Sequence, residues 1–384
     1  MRICYFADGR YIHTHKWLRY FSERGNEVHL VSFAPMSAEH IRAVEQAGGR
    51  YQGEVGGFHF KRFWLTANGV LSLRRILKRE NIDVLHCHYL SSNAWFAALS
   101  GFRPLVLTVM GGGDVCGPGW QPNGRRERLL TPYSLRHADL ITSWSRVMAD
   151  AVRPFCNSDT PIEVIHGGID LTRFHRGPKP EYLRERWQLP PEARVVFSPR
   201  LMRPLSNITQ IAAATGEVCA KLPNTYFLFA APAEPREEAY EAEVRRLLHE
   251  AGVEDHARFV GSIRHEEIAD YHRLADVTIS IPRTDGTPMT VLESMACGTP
   301  VLVGDIPDYD PYYIEKDKTV FTADPANVHS VAAALIELLS NASLAERLAA
   351  EAERRVTESG SYEAQMSKMD RLYSDLLRRA SNGA

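Results

Sequence analysis

The segment Thr284 to Val301 reads TDGTPMTVLESMACGTPV and sets two carboxylates, Asp285 and Glu293, eight positions apart in an otherwise largely apolar run. A strand ending near Pro282 would lead into a loop carrying Asp285 and Gly286. A helix would follow, with Thr287 as N-cap, Pro288 at its first position and Gly298 at its end. The first N–H groups of such a helix lack intrahelical acceptors and its dipole is positive there, so loop and helix mouth suit a diphosphate without any basic side chain. Glu293 stands among Val291, Leu292, Met295 and Ala296, where a charge is costly without a partner. Helical side chains lean toward the amino terminus, which turns Glu293 back to the mouth and within reach of two sugar hydroxyls, such as a ribose diol. Asp285 would then face whatever lies beyond the phosphates. This geometry describes a nucleotide diphosphate carrying a sugar, with a carboxylate at each end. Taken alone, the pair also admits a plainer reading, in which Glu293 pairs with an internal Arg and Asp285 caps a turn.

The elements that must position these residues alternate along the whole chain. Strand-like runs are RICYFA, EVHLVSF, DVLHCHYL, PLVLTVM, ADLITSW and IEVIH, with helix-like runs such as HKWLRYFSER, closed by Gly25, and LSLRRILKREN between them. After the Pro- and charge-rich segment Arg176 to Ala193 the alternation restarts with RVVFSP, TYFLFAAP, ARFVGS, ADVTISIP, TPVLVGD and KTVFTAD. Near-continuous apolar strands alternating with helices predict parallel sheets covered on both faces. The fold class is therefore α/β with two doubly wound, Rossmann-like domains, over residues 1–175 and 190–361. A last helix, 362–384, carries Tyr362, Met366, Met369, Tyr373, Leu376 and Leu377 on one stripe and is suited to cross back onto the first domain. Open parallel sheets bind ligands outside the carboxyl ends of their strands, so two facing sheets would form a cleft.

Composition excludes several classes. The chain has 384 residues, 44% hydrophobic and 24% charged, with a net charge of −2, which argues against a sequence-independent grip on nucleic acid. Its six cysteines are scattered without metal-ligand spacing or a disulfide framework, and are read as reduced. The amino terminus is broken by Asp8 and does not read as a signal peptide, and no apolar run reaches the ~20 residues of a membrane span. The expectation is a cytoplasmic protein. The basic segments LSLRRILKREN and GRRERLLTPYSLR either touch anionic lipid at the inner face of the membrane or form the solvated faces of covering helices. No G-x-G-x-x-G follows the first strand, which disfavours a dinucleotide dehydrogenase.

TDGTPMTVLESMACGTPV resembles the signature of glycosyltransferase family 4, the retaining sugar-nucleotide transferases in which a Glu, seven residues and a second Glu lead into an E-A-M-A-x-G-x-P-V helix. The similarity extends over essentially the whole chain, through HTHKWLRYFSERGNEVHLVS, DVLHCHYL, VLTVMGGGDV, ADLITSWS, VIHGGIDLTRF and ARFVGSIRHEEIADYHRLADV. It implies the GT-B fold, two facing Rossmann-like domains with an interdomain cleft. It also implies transfer of a sugar, with retention, from a nucleotide diphosphate sugar to a hydroxyl acceptor that is a sugar, a lipid-linked group or a small molecule.

The resemblance implies residue roles as well. Glu293 holds the ribose, while Asp285, Gly286, Thr287, Pro288, Met289 and Thr290 contact the diphosphate and donor sugar. Gly9 and Ile263 border the donor, and His13, grouped with Asp285 and Arg200 as catalytic, faces the cleft after the first strand to contact acceptor or donor. Arg200 matches the Arg of the family's G-R-L motif and neutralises the leaving diphosphate, a charge that grows as the glycosidic bond breaks. By position, His88 near a strand end, Met110 and Asp114 fall on the acceptor side, where Asp114 either accepts a hydroxyl proton or only folds its own loop. Three positions depart from the pattern. Asp285 is shorter than the family's Glu, moving its contact by about 1.5 Å. Leu205 replaces a Lys, with Arg203 as the nearest substitute, and Met110 replaces a His beside the donor sugar.

His86 and His88 share a strand face, an arrangement able to bind zinc, but no third ligand is near in the sequence. Asp308-Tyr309-Asp310 has the D-x-D form of a metal site, yet it follows Pro307 and reads as a turn or helix start. Activity without a metal cofactor is expected. The three departures leave open a sugar-nucleotide-binding protein without turnover, and the fold alone leaves open a GT-B phosphorylase or epimerase.

Overall fold

The computed structural model describes residues 1–55, 63–90, 92–110, 120–122, 124–230 and 237–382. The chain divides into two compact units, Met1–Gly167 with Glu363–Ala384, and Gly168–Tyr362.

In the first unit, seven strands form one parallel sheet: β1 (Arg2–Phe6), β2 (Glu27–Ser32), β3 (Gly49–Glu54), β4 (Val84–His88), β5 (Leu105–Val109), β6 (Leu140–Ser143) and β7 (Ile162–Val164). Their order is β3-β2-β1-β4-β5-β6-β7, so the direction of winding reverses between β1 and β4. The central strands β4 and β5 are buried at every position, which is why they do not show the regular apolar-polar alternation of a strand with one face in water. Strand β3 is absent from the sequence reading. Its residues GRYQGE are polar and mostly part-exposed, and it pairs only with β2 at the sheet edge, so no apolar run announces it.

The helix Tyr362–Asn382 completes this unit by burying Met366, Met369 and Tyr373. The Tyr373 hydroxyl donates to Tyr5 Oη at 3.2 Å and is also hydrogen-bonded to His86 Nδ1 on β4. His86 continues through Nε2 to Thr108 Oγ1, which meets Thr142 Oγ1 at 2.6 Å. His88 lies beside this chain, against Tyr5, Trp17 and His86, with neither ring nitrogen hydrogen-bonded among the described residues.

The second unit holds a six-stranded parallel sheet: β8 (Arg194–Ser198), β9 (Thr225–Ala230), β10 (Ala257–Gly261), β11 (Val277–Ser280), β12 (Val301–Gly304) and β13 (Phe321–Ala323), in the order β10-β9-β8-β11-β12-β13. Successive residues of β8 serve opposite faces, as strand geometry requires. Val196 joins a core with Ile211, Val218, Val331 and Leu335, whereas Val195 and Phe197 join Leu183, Tyr271 and Leu274. The entry and exit of this unit are tied together: Ile169 N–H donates to Gly360 O, and Tyr362 N–H to Ile169 O, each at 2.8 Å. Gly168 makes this approach possible, since its φ is +66° and a Cβ there would lie 2.4 Å from Tyr362 Cα.

Among the described residues no single helix is long and apolar enough to cross a membrane. Cys4, Cys87, Cys156, Cys219 and Cys297 are free thiols, and Cys116 lies outside the described residues.

Burial holds three imidazoles neutral. It pushes the pKa of His88, His166 and His272 down to about 3, with His13, Lys16 and Arg273 respectively adding to the shift. Each folded-state value lies below the unfolded one, so the stability these groups permit is complete above about pH 6.5 and falls away as the pH drops toward the folded values. Unfolding free energy should therefore be lower at pH 5 than at pH 7.5. Replacing His88 with Leu should reduce that difference by about 2 kcal/mol, measured by urea unfolding at both pH values.

Candidate functional site

In the second sheet the winding reverses between β8 and β11, which pair directly through Val277 with Val196 and Thr278 with Phe197. A crevice beyond the carboxyl ends of two such strands is where open α/β sheets bind ligands. Arg200 follows β8 and Asp285 follows β11, and their side chains meet there, Arg200 Nη1 standing 2.7 Å from Asp285 Oδ2. The two side chains are only 16% and 18% exposed, so each charge is largely desolvated and depends on the other. The second carboxylate oxygen of Asp285 accepts the N–H of Gly286 at 2.9 Å. One carboxylate thus folds its own loop and neutralises the arginine.

Three loops are stitched around this pair. Arg283 N–H donates to Leu205 O at 3.0 Å, joining the segments after β11 and β8. The loop after β12 joins through Thr284 Oγ1, which donates to the Asp308 carboxylate, and through Asp310 N–H, which donates to Gly286 O at 3.0 Å. The sequence reads Asp308-Tyr309-Asp310 as a turn or helix start, and a turn forms there, Asp310 Oδ1 accepting Tyr312 N–H at 2.9 Å; that turn is also part of the wall around Arg200 and Asp285. The signal available was two polar side chains in the loop one strand over from β11.

The helix after the loop runs over Met289–Ala296, one position later than the sequence suggests. Pro288, not Thr287, is the N-cap. Its φ of −72° would fit a helix, but its ψ of 107° is extended, and no side chain caps the first turn. The N–H groups of Met289 and Thr290 therefore have no intrahelical acceptor, and the dipole favours negative charge at this mouth. Glu293 is 13% exposed and lies one turn inside, its Oε2 3.9 Å from His272 Nε2. That separation is too long for a hydrogen bond, and His272 is neutral near pH 7, so this contact is not an ion pair.

Other polar atoms at this end of the sheet are buried and lack hydrogen-bond partners among the described residues: Ser198 Oγ, Arg203 Nε, Ser280 Oγ, Thr290 Oγ1 and Tyr309 Oη. Unsatisfied buried groups are rare in folded proteins, and their concentration beyond β8, β11 and β12 fits a place that a polar ligand or water completes. Arg203 is half-buried beside the tied Leu205 segment. Ile263 is half-buried against the Leu183 and Tyr271 core cluster, and Thr287 is buried.

In the first unit, the residues after β1 form a second polar group at the other reversal point. Asp8 is buried and gripped by Arg10, whose Nε and Nη2 reach its two oxygens at 2.9 and 2.6 Å. Burial alone would raise the Asp8 pKa, but the Arg10 hydrogen bonds and charge hold it below the usual carboxylate value. A Cβ at Gly9 would stand 2.6 Å from Leu30 Cδ2 and 2.7 Å from Met36 Cε, so those side chains would have to shift to admit one. His13 opens the helix Ile12–Glu23 with its ring edge-on to Trp144 at 4.9 Å, and its Nδ1 has no partner among the described residues. Burial, aided by Lys16, lowers its pKa to about 4, so it is neutral near pH 7.

His88 requires a correction. Read from sequence as facing the cleft, it is 0% exposed at the end of β4, because strand alternation sends it with His86 into the aromatic core. Met110, just beyond β5, is also buried, and Gly111, Gly112, Gly113 and Asp114 lie outside the described residues. Among the described residues no group of three His, Cys, Asp or Glu side chains is placed to hold a metal ion.

Residues 181–355 match the family model for glycosyl transferases group 1, and residues 9–173 match that for glycosyltransferase family 4. The chain belongs to the family 4, group 1 glycosyltransferases. Among relatives of this transferase is N-acetyl-alpha-D-glucosaminyl L-malate synthase of Bacillus anthracis, 21% identical over 94% of this chain and 92% of that protein. A second is the GDP-mannose-dependent alpha-(1-6)-phosphatidylinositol monomannoside mannosyltransferase of Mycobacterium tuberculosis, 28% identical over 54% of each chain. Solved structures with the same architecture include a glycosyltransferase from Rickettsia africae, TM-score 0.81 at 16% identity over 98% of both chains. Anabaena HepE in complex with UDP-glucose has a TM-score of 0.78 at 16% identity over 98% of this transferase and 100% of HepE. At these identities the likeness identifies the fold, GT-B with two Rossmann-like domains.

The Arg200–Asp285 pair should be detectable without any ligand. Arg200→Ala strands a mostly enclosed carboxylate and should cost about 1–3 kcal/mol of stability. Asp285→Ala added to it should cost less than the sum of the two single changes in urea unfolding. Additive losses would contradict the pairing.

Proposed function

We propose that this transferase moves a sugar, with retention of anomeric configuration, from a nucleotide diphosphate sugar to a hydroxyl acceptor, and that its donor site is the crevice between β8 and β11. The observation that carries the proposal is the Arg200–Asp285 pair at that reversal point, beside an uncapped helix mouth. Glu293 binds the ribose diol, and the backbone from Asp285 to Thr290 receives the diphosphate and the donor sugar. Arg200, with Arg203 beside it, takes the negative charge that builds on the diphosphate as the glycosidic bond breaks, a stabilisation worth more in a desolvated site than in water. Asp285 orients the donor sugar.

The acceptor hydroxyl attacks from the face that the diphosphate leaves, and its proton passes to a phosphate oxygen of the departing group. Catalysis then rests on positioning and charge stabilisation rather than on a covalent sugar intermediate. Gly9, Ile263 and His13 border the donor. His13, neutral at pH 7, acts through a ring nitrogen as a hydrogen-bonding group and not as a cation. Met110 and Asp114 lie toward the acceptor. The relatives bearing the names of malate and phosphatidylinositol mannoside transferases support a small hydroxylated or lipid-linked acceptor. The positive charge comes from the arginines and the helix mouth, and the 308–310 turn is occupied with its own hydrogen bonds, so activity is proposed to be independent of divalent metal.

Two measurements test this reading. Incubation with a panel of UDP- and GDP-linked sugars and with malate, inositol phosphate or lipid-linked acceptors, in the presence of EDTA, should yield a product whose anomeric proton coupling matches that of the donor. An inverted product would overturn the mechanism. Glu293→Ala should weaken binding of the nucleoside diphosphate about tenfold or more by calorimetry, and unchanged affinity would remove the ribose assignment.

A further inference from the structure

The loop after β12 carries a tyrosine with no role in the reaction as described. Tyr309 is 7% exposed, and its hydroxyl has no hydrogen-bond partner among the described residues, an arrangement that folded proteins seldom keep without a use. Its neighbours fix its place. Asp308 accepts the Thr284 hydroxyl and Asp310 N–H donates to Gly286 O, so the residues flanking Tyr309 are bonded to the residues flanking Asp285. The two loops run side by side with Tyr309 opposite Asp285. Burial first, and then the Asp285 carboxylate, raise the phenol pKa far above its ordinary value, so the hydroxyl keeps its proton and can only serve as a neutral donor or acceptor.

Asp285 is the group that will need such a donor. Its Oδ2 is neutralised by Arg200. When a diphosphate claims the guanidinium, a carboxylate that is mostly enclosed loses its cation, and such a charge is costly unless another donor replaces it. We propose that Tyr309 is a positioning residue for the donor: its hydroxyl takes up the Asp285 carboxylate as the diphosphate draws Arg200 away, keeping Asp285 aimed at the donor sugar. This rests on the reading of Arg200 as the diphosphate ligand. The exchange moves no proton and breaks no covalent bond. It also gives a partner to a buried hydroxyl that has none among the described residues.

Calorimetry with inorganic pyrophosphate as probe tests the exchange on the full chain. Tyr309→Phe should weaken pyrophosphate about tenfold, the loss of one hydrogen bond to a charged group. The melting temperature of the ligand-free protein should stay unchanged, because the hydroxyl has no partner there. In an Asp285→Asn background the same substitution should shift affinity less than about twofold, since no carboxylate remains to be received. Equal affinities for the wild type and Tyr309→Phe overturn the proposal, as does an equal loss in both backgrounds. A lower melting temperature for ligand-free Tyr309→Phe also overturns it, by showing that the hydroxyl is already engaged. A pyrophosphate affinity indifferent to Arg200→Ala instead sinks the assignment of Arg200, and the exchange with it.

Discussion

An arginine and an aspartate meet where the second sheet reverses its winding, and the surrounding loops are arranged around that contact. Sheet order sets it up: β8 and β11 are neighbours in space but far apart in sequence, and the loops leaving them must pass beside each other. Each loop brings one charge into a largely desolvated place, and neither charge is tolerable alone. The hydrogen bonds from Arg283 to Leu205 and from Asp310 to Gly286 hold the three loops at the spacing the pair requires. In the proposed donor site a diphosphate would compete with Asp285 for Arg200, so binding and folding would draw on the same guanidinium.

Much of this was legible in the sequence because it depends on local rules. The twelve apolar strands, the helix before Gly298, placed to within one residue at its start, and the stripe on the last helix all follow from periodicity and turn chemistry. Arg200 and Asp285 could each be singled out by type and by place at a strand end. Their direct contact could not, since it depends on which strands become neighbours. The edge strand β3 was invisible because a strand with one neighbour and solvent beside it needs no apolar run. Tyr309 was passed over because its importance lies in what its hydroxyl lacks, which no sequence pattern encodes.

His88 illustrates the opposite error. A histidine near the carboxyl end of a central strand looks like a ligand-binding group. Alternation places it on the inner face with His86, where Tyr5, Trp17 and the returning helix with Tyr373 enclose it. The ring acts there as an aromatic filler that happens to be titratable. The polar group at the reversal point of the first sheet lies not on β4 but after β1, in Asp8, Arg10 and His13.

The tie between Ile169 and the Gly360 to Tyr362 segment has a consequence for ancestry. Because the start and finish of the second unit are bonded side by side, residues 168–362 form an uninterrupted cassette whose ends already meet. Such a block can be exchanged between genes with little loop-closure penalty, while the host sheet, whose last helix comes from beyond the insertion, must be inherited around the gap. Exchanging the second unit by recombination would then ask for two cuts only a hydrogen bond apart.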